Sequence, residues 1–296
     1  MYLIDIQLSR LVNNNCRGKI IHSDMADKFI GYIVLCAVFA WSCSKDPEPV
    51  NNQDGIYAIR SINYSGKTYN RFIYNTAGKI AEYQSFYFCC RYTYNENGLL
   101  IKEESANADG MQSSATAGGK ELMTSQNSIF TSYGLYIYEH DSLLKQKIYY
   151  HKINGVFELV SKSSFEYLNG YIVKWNIHTP NDTITQFYTY EYDNNRNVIK
   201  ESQYSYLYNE VPGPVLVRET TYTFDNKNNP FTIFKQMGTL GIFSNPNNIT
   251  ETRSTLFIET AGIDKYTHST SSYEYNPKGY PVKVIAGSTF YEYEYY

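Results

Sequence analysis

From Ile56 onward, apolar and polar residues alternate with a period of two, not the helical period of about 3.6. In the stretch 85–94, one row holds Phe86, Phe88, Cys90, Tyr92 and Tyr94, and the other Ser85, Tyr87, Cys89, Arg91 and Thr93. Tyr188, Tyr190 and Tyr192 likewise oppose Thr189 and Glu191, and Tyr291, Tyr293 and Tyr295 oppose Glu292 and Glu294. Such alternation predicts half-buried antiparallel strands, with an aromatic row on the core and a polar row in water. No stretch after Ile56 reads as a long amphipathic helix.

One phrase recurs along this pattern: an aromatic-x-aromatic pair closed by Asn, Asp or Glu, then a polar turn, then a short apolar run. Its copies are Phe72-Ile73-Tyr74-Asn75, Tyr92-Thr93-Tyr94-Asn95, Tyr136-Ile137-Tyr138-Glu139, Tyr190-Glu191-Tyr192-Asp193, Tyr222-Thr223-Phe224-Asp225 and Tyr273-Glu274-Tyr275-Asn276, with a weaker one at Phe165-Glu166-Tyr167-Leu168. The turns after them carry Gly and Asn, which tolerate positive φ, and so predict hairpins. Spacing runs from 20 residues (Tyr74 to Tyr94) to 51 (Phe224 to Tyr275), too irregular for a fixed-period solenoid. Two stretches break the rule. The first, 105–128, is rich in Ala, Gly and Ser and predicts a long excursion between strands. The second, 229–250, is dense in Phe, Ile, Leu and Met and is interrupted by glycines, which predicts a short helical turn or irregular plug over an end or face of the sheet.

The phrase resembles the YD repeats of Rhs-type bacterial surface proteins. Tyr192-Asp193 matches the signature, Tyr74-Asn75, Tyr94-Asn95 and Tyr275-Asn276 match with Asn, and Phe224-Asp225 matches with Phe. Together with the leader described next and the stretch Asp225 to Phe231, the chain is similar to YD-repeat-like lipoproteins of unknown function in Bacteroidetes. The resemblance implies a strongly curled sheet and transfers no catalytic residue. The expected fold class is therefore all-β, an antiparallel meander of YD-type hairpins forming a strongly twisted or curled sheet over residues 55–296.

The N-terminal part is processed sequence rather than fold. Phe29 to Trp41 is an apolar run flanked by Lys28 and followed by Ser42-Cys43, too short to span a bilayer comfortably. It resembles a bacterial lipoprotein signal peptide, cleaved before Cys43, which would carry the lipid. Residues 25–42 are the expected signal peptide, 1–24 a mis-called upstream extension, and 43–54 the lipidated cysteine with a polar tether. Ser44-Lys45-Asp46 resembles the lipoprotein export signal of Bacteroidetes. It implies an outer-membrane lipoprotein facing the cell exterior; a periplasm-facing lipoprotein is the alternative. The expected partners are the membrane, through Cys43, and a polysaccharide or envelope protein.

Composition narrows the chemistry. Tyrosine is the outlier, with 32 Tyr and 15 Phe against 2 Trp, a bias that suits pleated sheet. A net charge of -3 gives no electrostatic reason to expect nucleic acid. Cys89 and Cys90 are the thiols left outside the leader and the anchor, and neighbours on a strand face apart. The histidines show no metal-ligand spacing, and neither a nucleophile elbow nor a phosphate loop occurs, so no metal, cofactor or catalysis is expected. Asp193 to Asn197 imitates the start of a calcium loop, but Val198 and Tyr204 stand where the loop needs Gly and an acid. Glu82, Glu103, Glu166, Glu201 and Glu219 are the carboxylates that a glycan hydrolase reading would have to pair. For binding, Trp175 is the candidate ring, although a strand-packing role fits it as well. Ser142 and Thr183, in Asp-Ser/Thr-apolar triplets, resemble a Bacteroidetes O-glycosylation sequon. The expected role is non-catalytic: glycan or partner recognition, or alternatively an envelope scaffold.

Overall fold

The structure is a computed structural model and describes residues 58–107, 121–139, 143–207, 212–237, 245–258 and 265–296. The leader, Cys43 and the tether lie outside these residues. The first eight strands are β1 (Ile59–Tyr64), β2 (Lys67–Tyr74), β3 (Ile80–Ser85), β4 (Phe88–Tyr94), β5 (Leu100–Asn107), β6 (Ser132–Glu139), β7 (Leu143–Ile153) and β8 (Val156–Leu168). The rest are β9 (Tyr171–His178), β10 (Ile184–Tyr192), β11 (Val198–Ser205), β12 (Val215–Asn228), β13 (Asn247–Leu256), β14 (Tyr266–Tyr275), β15 (Pro281–Ala286) and β16 (Thr289–Tyr295). All-β alternation is borne out, and each strand pairs antiparallel with its sequence neighbours. The expected curled meander needs one correction: the sheet closes. β1 pairs with β16, giving a sixteen-strand barrel.

The recurring phrase explains the closure. Every copy sits at the C-terminal end of an even-numbered strand, so all phrase turns lie at one end of the barrel. In each phrase the ladder slips by one residue just before the second aromatic, at Ile73/Tyr74, Thr93/Tyr94, Ile137/Tyr138, Glu166/Tyr167, Glu191/Tyr192, Thr223/Phe224 and Glu274/Tyr275. The β1–β16 seam slips in the same place, which makes Tyr293-Glu294-Tyr295 a further copy that lacks the closing Asn or Asp. A bulge bends its strand and increases its twist. Repeated with one register around the sheet, the bend accumulates until the two edge strands meet, and closure removes both edges.

Each part of the phrase has a bonding role. The closing Asn or Asp folds the turn: Asn75 Oδ1 accepts from the N–H groups of Ala77 (3.0 Å) and Lys79 (2.9 Å). Asp193 Oδ1 accepts from Asn195 and Asn197, both at 2.8 Å, and Asn276 Oδ1 accepts from Lys278 and Tyr280, both at 3.0 Å. In six copies the second tyrosine latches the preceding strand by donating its hydroxyl to a backbone carbonyl, whereas Tyr275 donates to the Asp225 carboxylate and the first tyrosine, Tyr273, bonds Ile249 O (2.6 Å). Tyr74 bonds Ile59 O (2.9 Å), Tyr94 bonds Ile80 O (2.8 Å), and Tyr138 bonds Leu100 O (2.9 Å). Tyr167, Tyr192 and Tyr295 reach Leu144 O (2.8 Å), Ile172 O (2.6 Å) and Pro281 O (2.6 Å) in the same way. A bulge takes backbone groups out of the ladder, and a buried carbonyl needs a donor. Asp193→Ala removes the acceptor for two turn amides and for Asn197 Nδ2. A loss of about 1–2 kcal/mol is expected in urea unfolding, as for the loss of a capping acceptor.

Alternation gives the barrel two walls. On the inner wall lie Phe72, Tyr74, Tyr83, Tyr136, Tyr190, Tyr222 and Tyr293, all buried. The phrase lacks its latch hydroxyl at Phe224, and there the hairpin is replaced by the insertion between β12 and β13. A 3-10 helix, Pro230–Met237, begins behind Asn229, whose Oδ1 accepts from Phe231 N at 2.9 Å. Its Phe231 packs on Phe72 (6.4 Å) and Tyr293 (5.8 Å), and Phe234 packs on Phe72 (5.7 Å). The helix thus reaches from β12 to rings on β2 and β16 at the phrase end of the barrel. Of the expected plug the helix is present; residues 238–244 lie outside the described residues. Of the other excursion, 121–130 folds back onto the outer wall: Glu82 accepts from Ser125 N (2.8 Å) and Ser125 Oγ (2.6 Å), and Arg91 lies over Phe130.

Candidate functional site

The inner wall from β8 to β12 gathers the best ligand-binding chemistry. Register places Phe165 opposite Trp175 and Trp175 opposite Tyr188, so the three rings share a face. They form a slanted stack, with Phe165–Trp175 centroids at 6.3 Å and 20° and Trp175–Tyr188 at 5.1 Å and 23°. Next along the same row, Tyr190 stands opposite Glu201, and Tyr188 opposite Gln203. Gln203 Nε2 approaches Gln186 Oε1 at 3.4 Å, and Arg218 faces Gln203 from β12.

Two donors in this group have no hydrogen-bond partner: the Trp175 indole N–H and the Tyr190 hydroxyl, both buried. Leaving such a donor unmatched costs about 1–3 kcal/mol. Burial, followed by the charge of Glu201, pushes the Tyr190 phenol well above its ordinary pKa, so it stays a neutral donor. Trp175, singled out from sequence as a binding ring, is half-buried here and also packs its strand. The sequence singled out the residue and missed the orphan donor on Tyr190, because alternation fixes a side chain's face and not its bonding.

A second cluster lies on the same wall at β4–β7. Glu103 Oε2 accepts from Lys147 Nζ (3.0 Å) and the Tyr136 hydroxyl (2.5 Å). Only 15% of the lysine side chain and 14% of the glutamate are exposed, so water screens the pair poorly. Burial works against the Glu103 charge, but the Lys147 ammonium and the two hydrogen bonds outweigh it and hold the carboxyl below its ordinary range. Burial pushes the neighbouring Cys90 thiol well up, which leaves it a packing group rather than a nucleophile. Nearby, Ser132 Oγ and His151 Nδ1 are 2.8 Å apart.

The remaining sequence candidates scatter. Cys43 and Ser142 lie outside the described residues, and Thr183 is exposed in the β9–β10 turn. Of the five glutamates, Glu103 and Glu201 face inward. Glu82 holds the folded-back loop, while Glu166 and Glu219 pair with lysines on the outer wall. Cys89 and Cys90 are free, buried and on opposite faces. Asp193 serves its turn. His178 and His268 are on the outer wall, and among the described residues no three His, Cys, Asp or Glu groups could hold a metal ion.

The outer wall is a lattice of ion pairs. Glu104 holds Arg91 (2.7 Å) and Lys102 (2.9 Å); Lys200 holds Glu219 (2.9 Å) and Glu191 (3.6 Å). Glu251 holds Arg253 (2.8 Å) and His268 (2.6 Å), Lys174 pairs with Glu166 (3.0 Å), and Lys283 with Glu274 (3.2 Å). Lysines also cover outward rings, as Lys174 covers Phe187 (4.9 Å) and Lys283 covers Phe290 (4.9 Å).

No protein-family model matches the sequence, and no curated protein matches it either. Among solved structures, the chain is similar to a porin-like protein from Bacteroides uniformis, with 12% identity over 77% of this chain and 90% of that one and a TM-score of 0.43. A porin-like protein from Bacteroides vulgatus gives 10% identity over 81% and 99%, with a TM-score of 0.38. The TcdB2–TccC3 structure gives 12% identity over 75% of this chain and 14% of that chain, with a TM-score of 0.20. Likeness at this level concerns β-architecture alone.

Proposed function

We propose that the chain is an exported, lipid-anchored β-barrel that stands in water beside the membrane and serves as a non-catalytic binding module. The observation that carries this reading is the charged outer wall. In a membrane-spanning barrel that wall would face lipid, where an Arg or Lys at mid-depth costs about 2–4 kcal/mol. Arg91, Lys102, Lys174, Lys200, Arg253 and Lys283 all point outward from within strands. Those near mid-strand, such as Arg91 and Arg253, would each bear that cost, and those nearer a strand end, such as Lys200 and Lys283, less; the sum is a sizeable part of the stability of a domain. The porin-like description belongs to the neighbours; on this chain the charged wall and the phrase-end plug argue against a pore.

The membrane link is then the lipid on Cys43, with the barrel held at the outer surface of the outer membrane. Cys43→Ala is expected to move the protein from the membrane to the soluble fraction, where it remains folded without detergent. A released barrel that needs detergent, or that opens channels in a planar bilayer, would sink the reading. An envelope scaffold without a ligand is the second reading, favoured by the tyrosine latches, which spend the most regular residues of the chain on rigidity. Glycan hydrolysis has the least support, since the candidate glutamates divide between the two walls.

A further inference from the structure

We propose that the inner wall around Trp175 and Tyr190 binds an uncharged saccharide. The idea rests on the binding-module reading above and names its ligand class. Three features of the wall converge on it. The Phe165–Trp175–Tyr188 stack supplies flat apolar rings, which fit the C–H face of a pyranose. Tyr190 is only 5% exposed, and its hydroxyl, like the Trp175 indole N–H, has no hydrogen-bond partner. Two buried orphan donors on one face of neighbouring strands need acceptor oxygens, and sugar hydroxyl groups provide them. Gln186, Gln203 and Glu201 add amide and carboxylate groups that can take the remaining hydroxyl protons.

Charge selects against an ionic ligand. Beside the ring row, among the described residues, the inward charged groups are Glu201 and Arg218, one of each sign, facing it from β11 and β12. They leave no net charge to favour a phosphate or an ammonium. A purely apolar ligand would leave both orphan donors unmatched. A neutral polyhydroxy ring satisfies the stack and the donors together.

The test uses the processed chain from Cys43 onward, carrying Cys43→Ala, in which Trp175 is the single indole reporter. Maltohexaose, cellohexaose and mannohexaose are titrated to millimolar concentration, followed by tryptophan fluorescence and calorimetry. At least one is expected to bind saturably with a shift in Trp175 emission. Trp175→Phe and Tyr190→Phe keep a ring while removing the donor, and each is expected to weaken calorimetric binding about tenfold, the worth of one hydrogen bond. Unchanged near-ultraviolet circular dichroism shows that the variants remain folded. The proposal is overturned if none of the three binds, or if both variants bind as the parent does. Ordered water is the competing account of the two donors. It predicts a lower Tm for both variants with binding untouched, which also overturns the proposal. Failure here leaves detergent-free release by Cys43→Ala intact, so it is distinguishable from failure of the aqueous-barrel reading.

Discussion

Raised above pH 10, the barrel is expected to unfold in one cooperative step instead of titrating its buried tyrosines one by one. Burial is the first cause that lifts Tyr74, Tyr92, Tyr136, Tyr190 and Tyr293 far above the ordinary phenol value. All five are under a tenth exposed. Burial also pushes Tyr138 and Tyr167 up to about 12. The folded pKa is above the unfolded one in each case, so the stabilisation is complete below about pH 10 and is lost as pH rises toward the folded value. At about pH 11 each fully buried phenol costs the fold about 1.4 kcal/mol, or about 7 kcal/mol for the five. That is most of the stability of an ordinary domain. Tyrosinate absorbance and far-ultraviolet circular dichroism should therefore change together between about pH 10 and pH 11.5. Complete tyrosinate formation with the sheet signal intact would show that the buried phenols are not held by the fold.

Lys147→Met is expected to destabilise the barrel by about 3–5 kcal/mol, because it strands the Glu103 charge on a buried wall. The pH dependence should also invert. In the parent, Lys147 holds the Glu103 carboxyl below its ordinary pKa, so this stabilisation is present above about pH 4.3 and is lost as pH falls through the native value. Without Lys147, burial dominates and raises that pKa, so the variant should be least stable at neutral pH and recover toward acid. Adding Glu103→Gln should restore much of the loss at neutral pH. Urea midpoints at pH 7 and pH 5 separate these outcomes; a single variant within about 0.5 kcal/mol of the parent would mean that the pair is screened by water.

The local rules of this fold were legible, and the long-range ones were not. Alternation through 85–94 placed Cys90 and Tyr92 on one face and Arg91 on the other, as found, because strand period depends only on neighbouring residues. Asn75 and Asp193 were readable as turn residues because their acceptors serve amides two and four positions ahead. Closure was hidden, since the β1–β16 seam joins residues such as Ser61 and Glu294, 233 apart. The final Tyr293-Glu294-Tyr295 escaped notice as a phrase because Tyr296 stands at the position that closes the full copies with Asn, Asp or Glu. At the candidate site, Trp175 was visible as a rare residue, yet its stack and the orphan hydroxyl of Tyr190 depend on register. The Glu103–Lys147 pair left no signal, since Glu103 shares its row with Ile101 and Ser105, and Lys147 with Lys145 and His151, as charges on any solvated strand would.

The seam has a topological consequence. Tyr296 N donates to Ala58 O at 3.1 Å, and Tyr74 latches Ile59 across the same region. The β16–β1 junction therefore has every bond of the other hairpins except the turn, and the chain is in effect a circle cut at one of its corners. A circle of equivalent hairpins has no privileged starting strand. Cutting it at the Ser65–Gly66 turn while joining the present seam should give a permuted chain with the same barrel. Until the circle shuts, β1 and β16 are bare edges open to other chains. Glu292 and Glu294, alternating along β16, place like charges on that edge and guard it while it waits for β1.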